Sequence, residues 1–293
     1  MPVAIHVTAL VALHGAGDGH SGHTSAVSSA LLSAALVSLR ANPPRAAVLL
    51  DIDGTLAPIV ENAAHATVPE PTRLLLIDVA KRYGVVACVS GRRASEARAM
   101  VAIGTISYLG SHGSELLRAG WTEAMLDPEV ETWAARIREF AREADTADLR
   151  RRRVRIEDKG AIAAFHWRGA PDEGAARATV DALAARAQST GLRTHWGRKV
   201  LEVRPPVQID KGRGITSFLQ GVEVDAALYA GDDTTDLDAF RALHRLQEEG
   251  TIAQAVRVGV SSDEGPSEIA TEADLVVEGT DGVRALLAAL IAE

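Results

Sequence analysis

A chain of 293 residues, 47% of them apolar, is long enough for about two domains and too apolar to be disordered throughout. Its net charge of −8 argues against nucleic acid as the main partner, because binding a phosphate backbone needs a basic face. The single cysteine, Cys88, excludes an internal disulfide and fits a reducing compartment, and no run of 18 apolar residues offers a membrane span.

Residues 1–44 carry the least information. Met1 to Leu13 is apolar, but no Lys or Arg precedes Arg40, so the positive region of a secretory leader is missing. The expectation is a soluble cytoplasmic protein with no membrane association and no obligate protein partner. Gly15 to His23 reads as a loop, and Thr24 as the cap of a helix running to about Arg40, stopped by Pro43 and Pro44.

Ala46-Ala47-Val48-Leu49-Leu50 then runs straight into Asp51-Ile52-Asp53-Gly54-Thr55. A continuous apolar run ended by a turn signal predicts a strand buried on both faces of a parallel sheet. Ligands bind beyond the carboxyl ends of such strands, which is where Asp51 and Asp53 fall. An aspartate is ionised at neutral pH and needs no base to act as a nucleophile. Against a phosphate dianion it needs a divalent cation to offset repulsion, and a second carboxylate with a raised pKa to protonate the leaving oxygen. Two aspartates in an ordinary turn are the competing explanation.

The pattern recurs. A helix after Pro69 to Thr72 leads into a second apolar strand, Gly84 to Val89, which ends in Ser90-Gly91-Arg92. A serine at that tip, followed by a helix from about Ala94, suits a phosphate oxygen. Thr105 to Leu109 predicts a third strand. The composition then changes over about 118–204. Helical stretches at Pro128–Ala144 and Glu173–Ser189 alternate there with short strand-like runs at Val154–Glu157, Ala161–Trp167, Leu192–Trp196 and Val200–Val203. Local pairing of such strands suggests an inserted α+β domain, closed by Pro205 and Pro206.

Asp210-Lys211-Gly212 resumes the parent pattern by opening a helix. Another apolar strand, Ala226 to Ala230, enters Gly231-Asp232-Asp233-Thr234-Thr235-Asp236. Val256–Val260 and Asp274–Val277 complete the parent domain. The order predicts an α/β fold, a Rossmann-like doubly wound parallel sheet, with the insertion as a second domain. The expected boundaries are an N-terminal extension 1–44, a core of 45–117 with 205–293, and an insertion 118–204. Asp51 and Asp232 at two strand tips could build the oxygen shell that Mg2+ prefers, with Lys211 offsetting further charge.

In this order, Asp51-Ile52-Asp53-Gly54-Thr55, Ser90, Lys211 and Gly231-Asp232-Asp233 resemble the four motifs of the haloacid dehalogenase superfamily. A narrower resemblance, over about residues 45–290, is to the trehalose-6-phosphate phosphatase family. It is carried by Gly231 to Asp236, Ser111-His112-Gly113-Ser114-Glu115, Glu157-Asp158-Lys159-Gly160, His166-Trp167-Arg168 and Lys199 to Pro205. Trp167 stands where that family often has tyrosine, and residues 1–44 have no counterpart in its short members.

The resemblance implies a phospho-aspartyl intermediate on Asp51, acid/base work by Asp53, and Ser90 and Lys211 as further catalytic residues. Mg2+ would be held by Asp51, the Asp53 backbone carbonyl and Asp232, with Asp233 beside them. Asp51, Ile52, Asp53, Thr55, Gly91, Arg92 and His112 are the implied substrate-binding positions of the core. In the inserted domain, a C2-type cap, they are Glu157, Lys159, His166, Arg168, Lys199 and Glu202. Residue spacing agrees independently: Glu157 with Lys159, and His166 with Arg168, are two apart and share a face if they lie on strands. The expected substrate is trehalose 6-phosphate. The alternatives are a phosphatase or phosphomutase for another sugar phosphate, or a non-catalytic sugar-phosphate-binding protein. The basic run Arg150 to Arg153 with Arg155 reads as a solvated face.

Overall fold

The computed structural model describes residues 32–60, 65–262 and 265–292. The expected loop at 15–23 and the Thr24 cap lie outside the described residues. The chain divides into two compact units, one reaching Ala124 and resuming at Asp210, the other spanning Met125–Ile209.

In the larger unit, β1 (Ala46–Leu50) lies at the centre of a parallel sheet between β2 (Val85–Val89) and β10 (Ala226–Gly231). Beyond β10 come β11 (Gln254–Ser261) and β12 (Leu275–Glu278), and beyond β2 comes β3 (Ser107–Gly110), all parallel. Next to β3, β4 (Glu115–Leu117) runs antiparallel to it.

Alternate residues of β1 enter opposite cores, which explains its unbroken apolar run. Val48 and Leu50 pack with α1 (Val37–Ala41), α2 (Glu70–Arg82), α3 (Ala94–Val101) and α10 (Gly279–Ile291). Ala47 and Leu49 pack with α7 (Lys211–Leu219) and α8 (Asp236–Glu248) on the other face. Helices on both faces of a parallel sheet make the fold doubly wound. A short α9 (Ser267–Glu272) precedes β12. No helix among the described residues is long and apolar enough to cross a membrane.

The smaller unit starts with a two-residue strand, β5 (Met125–Leu126), followed by α4 (Pro128–Ala144) and α5 (Ala147–Arg151). Its antiparallel sheet has the order β6 (Arg155–Asp158), β7 (Ala163–His166), β9 (Val200–Arg204), β8 (Arg193–Gly197). α4 and α6 (Glu173–Ser189) cover one face, where Ile137, Phe140, Val180 and Ala184 pack on Phe165, Leu201 and Val203. On the other face Glu157, Ala164, Glu202 and His195 form one row in register across the four strands.

Two boundaries lie a few residues beyond the expected ones. Residues 118–124 stay with the larger unit, where the Ala119 amide donates to Ser107 Oγ at 3.1 Å and the Gly120 amide to the Gly104 carbonyl at 2.9 Å. The smaller unit runs past Pro205 and Pro206 to Ile209, because Val207 packs with Val130, Ala134 and Ala161. Leu36 and Leu39, near the end of the expected N-terminal extension, are fully buried in the core of the larger unit.

Candidate active site

β1 delivers Asp51 to the end of the sheet as a buried carboxylate. Lys211, the first residue of α7, reaches it at 2.6 Å from Nζ to Oδ1, and the same Nζ lies 2.6 Å from Asp236 Oδ1. Asp210 caps that helix by accepting the Arg213 amide, which fixes where Lys211 departs. Lys211 is only 3% exposed and Asp236 is 0% exposed, so each charge depends on its partners rather than on water.

Asp236 is saturated by protein donors. Its Oδ1 takes Lys211 and the Tyr229 hydroxyl at 2.5 Å, while Oδ2 takes the amides of Asp232 and Asp233 at 2.8 Å each. It therefore fixes the loop after β10 and has no lone pair pointing elsewhere. Asp232 is buried and accepts Thr55 Oγ1 at 3.0 Å. Gly54 makes this approach possible: its φ is +89°, and a Cβ there would lie 2.0 Å from Asp232 Oδ2.

Asp51, Asp232 and Asp236 bring carboxylate oxygens within 4.8 Å of one another. Three buried acids face one ammonium, and the imbalance shows in the titration of Asp51 and Asp232. Burial pushes Asp51 upward, Lys211 opposes it, and Asp236 and Asp232 add to the rise. Burial and the Asp236 charge push Asp232 up to about 6. Burial alone would lower Lys211, but Asp236 and Asp51 outweigh it and hold the ammonium protonated. A divalent cation with oxygen ligands fits this surplus, and Asp51 and Asp232 are the carboxylates free to hold it. The expected metal residue Asp233 is exposed, and its Oδ1 accepts the Thr234 amide at 2.6 Å.

Asp53 is half-buried and gripped bidentately by Arg92, with Nε–Oδ2 at 2.7 Å and Nη2–Oδ1 at 2.6 Å. Ser90 is buried at the tip of β2, and its Oγ accepts the Arg92 amide at 3.1 Å. Ile52 is fully buried and packs in the core. A cavity of about 420 Å3 adjoins Asp53, Asp232 and Asp233, with Ile59, Val60, Ala66 and Pro266 as its apolar lining.

In the smaller unit Glu202 takes Lys159 Nζ on Oε1 at 3.1 Å, and on Oε2 it takes Arg204 Nε at 3.0 Å and the neighbouring Arg204 Nη2. Burial opposes its ionisation, yet Arg204 and Lys159 prevail and lower it to about 2. His166 Nε2 lies 2.7 Å from Glu157 Oε2. Arg168 and Lys199 stand apart from these pairs: Lys199 is tied to Glu173 at 2.8 Å, and Arg168 reaches the Arg198 carbonyl at 3.4 Å. The expected solvated run is engaged at its own surface, where Arg150 pairs with Asp145 and Arg151 and Arg152 with Asp148.

Three site residues escape sequence reasoning. Tyr229 was hidden by its apolar strand, although a lone hydroxyl two residues before Gly231 was the available signal. Arg204 shares the period-two face of Glu202. Glu115 closes the Ser111–Glu115 motif, which assigned it no role; buried, it accepts the Ala94 amide at 2.9 Å at the start of α3, a long-range tie.

The family model described as trehalose-phosphatase matches residues 49–280. The chain belongs to the trehalose-phosphatase family. A trehalose-phosphate phosphatase of Mycobacterium marinum is 33% identical over 215 residues, 68% of this chain and 52% of that one. A probable trehalose-phosphate phosphatase of Oryza sativa is 32% identical over 225 residues, 68% of this chain and 60% of that one. A Mycobacterium tuberculosis protein described as an uncharacterized glycosyl hydrolase is 32% identical over 217 residues, covering 68% of this chain but 15% of that protein. The chain thus spans 15% to 60% of the length of these curated relatives.

Among solved structures, the C-terminal domain of Candida albicans trehalose-6-phosphate phosphatase superposes with a TM-score of 0.64 at 20% identity, over 90% of this chain and 96% of that one. A haloacid dehalogenase-like hydrolase from Bacteroides thetaiotaomicron gives a TM-score of 0.55 at 16% identity, over 83% and 98% of the two chains. The family fold is therefore the haloacid dehalogenase-like α/β fold with its Rossmann-like sheet.

Proposed function

We propose that this chain is a Mg2+-dependent phosphatase that hydrolyses trehalose 6-phosphate to trehalose and phosphate. The observation that carries the reading is the buried triangle of Asp51, Lys211 and Asp236 with Asp232 beside it, in a member of the trehalose-phosphatase family. Asp51 Oδ attacks phosphorus, the bond to the sugar oxygen breaks, and Asp53 gives that oxygen a proton. Asp53 then takes a proton from water, which attacks phosphorus and frees Asp51 and inorganic phosphate. Arg92 must release an Asp53 oxygen before that oxygen can carry the proton, since its grip is bidentate. Lys211 holds the Asp51 carboxylate in place and offsets charge as the phosphoryl group transfers. Mg2+, held by Asp51, Asp232 and the Asp53 carbonyl, would supply charge neutralisation at the phosphoryl oxygens. Ser90 and Arg92 donate to the phosphate.

Sugar recognition falls to the smaller unit, read as the cap domain. Its sheet face without helices carries Glu157 and His166 as one pair, and Lys159, Glu202 and Arg204 as a charged triad. Charged donors and acceptors fixed on a sheet suit a disaccharide covered in hydroxyls. The test is phosphate release from trehalose 6-phosphate, glucose 6-phosphate and sucrose 6-phosphate, with and without Mg2+. The expected result is Mg2+-dependent release confined to trehalose 6-phosphate. Preferred release from another ester overturns the substrate, and release from none overturns the enzyme.

A further inference from the structure

The turn after β3 is built against conformational preference. Ser111 has φ +49° and His112 φ +57° with ψ +34°, followed by Gly113 at φ +92°. Single left-handed residues occur elsewhere, as at Ala102 behind α3, but two successive non-glycine residues in that region are found only here among the described residues. Such strain persists only where the surroundings over-determine it, and it concentrates at functional sites.

The surroundings do over-determine it. The Ser111 amide donates to the Arg92 carbonyl at 2.7 Å, and the His112 amide to the Ser90 carbonyl at 3.0 Å. The first and last carbonyls of the Ser90–Arg92 loop are thus tied down by the left-handed turn. The His112 ring covers the residue between them: a Cβ on Gly91 would lie 2.8 Å from His112 Cε1 and 3.0 Å from Nε2. On its far side the turn seats against the helix of Lys211, where a Cβ on Gly113 would lie 2.8 Å from the Gly214 Cα and 2.9 Å from the Asp210 carbonyl. One strained turn therefore bridges the loop assigned to phosphate and the helix that carries Lys211.

We infer that the left-handed Ser111–His112 turn presets the Ser90–Arg92 loop for a phosphate group, with His112 as a positioning residue, an inference that rests on reading that loop as phosphate-binding. A loop held in its binding conformation before the ligand arrives binds without the cost of ordering. The strain at Ser111 and His112 is what this arrangement costs, and it sets this role apart from a contact to the sugar, which would concern one class of ester only.

The experiment combines H112G, G91A and the double variant, with H112N as a variant that tolerates the left-handed backbone. Inorganic phosphate affinity is measured by calorimetry, KM and kcat with trehalose 6-phosphate and p-nitrophenyl phosphate, and Tm for each protein. H112G relieves strain and removes the ring, so Tm holds or rises. Phosphate affinity falls, and KM for both esters rises, on the order of tenfold. G91A weakens phosphate binding when His112 is present and does so much less in the double variant. H112N, folded whether or not H112G is, loses the ring and shows the same loss of phosphate affinity. Unchanged phosphate affinity in H112G and H112N overturns the inference, as does a loss confined to trehalose 6-phosphate or an effect of G91A that is the same with and without His112. If the wild type binds phosphate but cleaves no ester, the proposed enzyme fails while the calorimetric comparison still decides the role of the turn.

Discussion

The two units carry charge triads of opposite design. In the larger unit one cation, Lys211, is shared by two acids, Asp51 and Asp236, with side chains 3%, 6% and 0% exposed. In the smaller unit one acid, Glu202, is shared by two cations, Lys159 and Arg204, at 12%, 28% and 22%. The first is deeply buried and short of positive charge, so it calls for a cation. The second is wetter and has donors to spare, so it suits a ligand rich in oxygen. The same type of ion pair thus takes different work from its burial and its stoichiometry.

The largest effect is expected at Asp51, the buried acid proposed to attack phosphorus. Asp51→Asn keeps the shape of the side chain, so near-ultraviolet circular dichroism is unchanged, while phosphate release falls by about 10^4-fold or more. Comparable release from this variant would remove Asp51 from the mechanism. The matched pair Lys211→Met and Lys159→Met comes next and tests stability. Removing Lys211 leaves Asp51 and Asp236 buried without their cation, at a cost of about 3–5 kcal/mol. Removing Lys159 leaves Glu202 with Arg204 and partial solvent, at a cost of about 1 kcal/mol or less. Equal losses in urea unfolding would mean that burial does not separate the two triads.

pH separates them by sign. Glu202 is held at about 2, below its ordinary value, so it contributes stability above the unfolded pKa that is lost as pH falls through about 4.5 toward 2. The shift amounts to roughly 2–3 kcal/mol after allowing for partial exposure. Glu202→Gln should flatten that acid limb. Asp232, raised to about 6, does the reverse: the folded state holds its proton more tightly, so stability falls as pH rises from about 4 through 6. Mg2+ should therefore raise Tm at pH 7.5 more than at pH 5, and Asp232→Asn should abolish that difference. An equal Tm gain at both pH values would disconnect the acidic cluster from the cation.

How far the sequence reveals these sites depends on how local their causes are. The strand Ala46–Leu50 is plain because both of its faces are buried, which leaves no polar position to blur it. The sheet of the smaller unit is readable for the opposite reason: Val200 to Arg204 alternates between core and open face. Boundaries depend on distant partners. Nothing near 118–124 announces that Ser107 and Gly104 will hold it, and nothing near Val207 announces Val130 and Ala161. Asp236 stood in an acidic motif, but its role turns on four donors drawn from β10, the loop after it and α7.

The smallest effect is expected at Tyr229, and it probes whether Asp236 is a fixed anchor. The hydroxyl is buried and donates to the same oxygen that Lys211 holds. Tyr229→Phe removes one donor of four and keeps the ring that packs edge-on against Phe240 at 6.0 Å. Asp236 retains Lys211 and both loop amides, so the expected loss is about 1–2 kcal/mol, below that of Lys211→Met. Because Lys211 still bridges to Asp51, KM should hold and kcat should fall by less than about tenfold. A loss as large as that of Lys211→Met would mean that the hydroxyl, and not the ammonium, chiefly anchors Asp236. The buried triad would then extend one residue deeper into β10, and the contrast with Glu202, whose partners all lie on or beside its own sheet, would sharpen further.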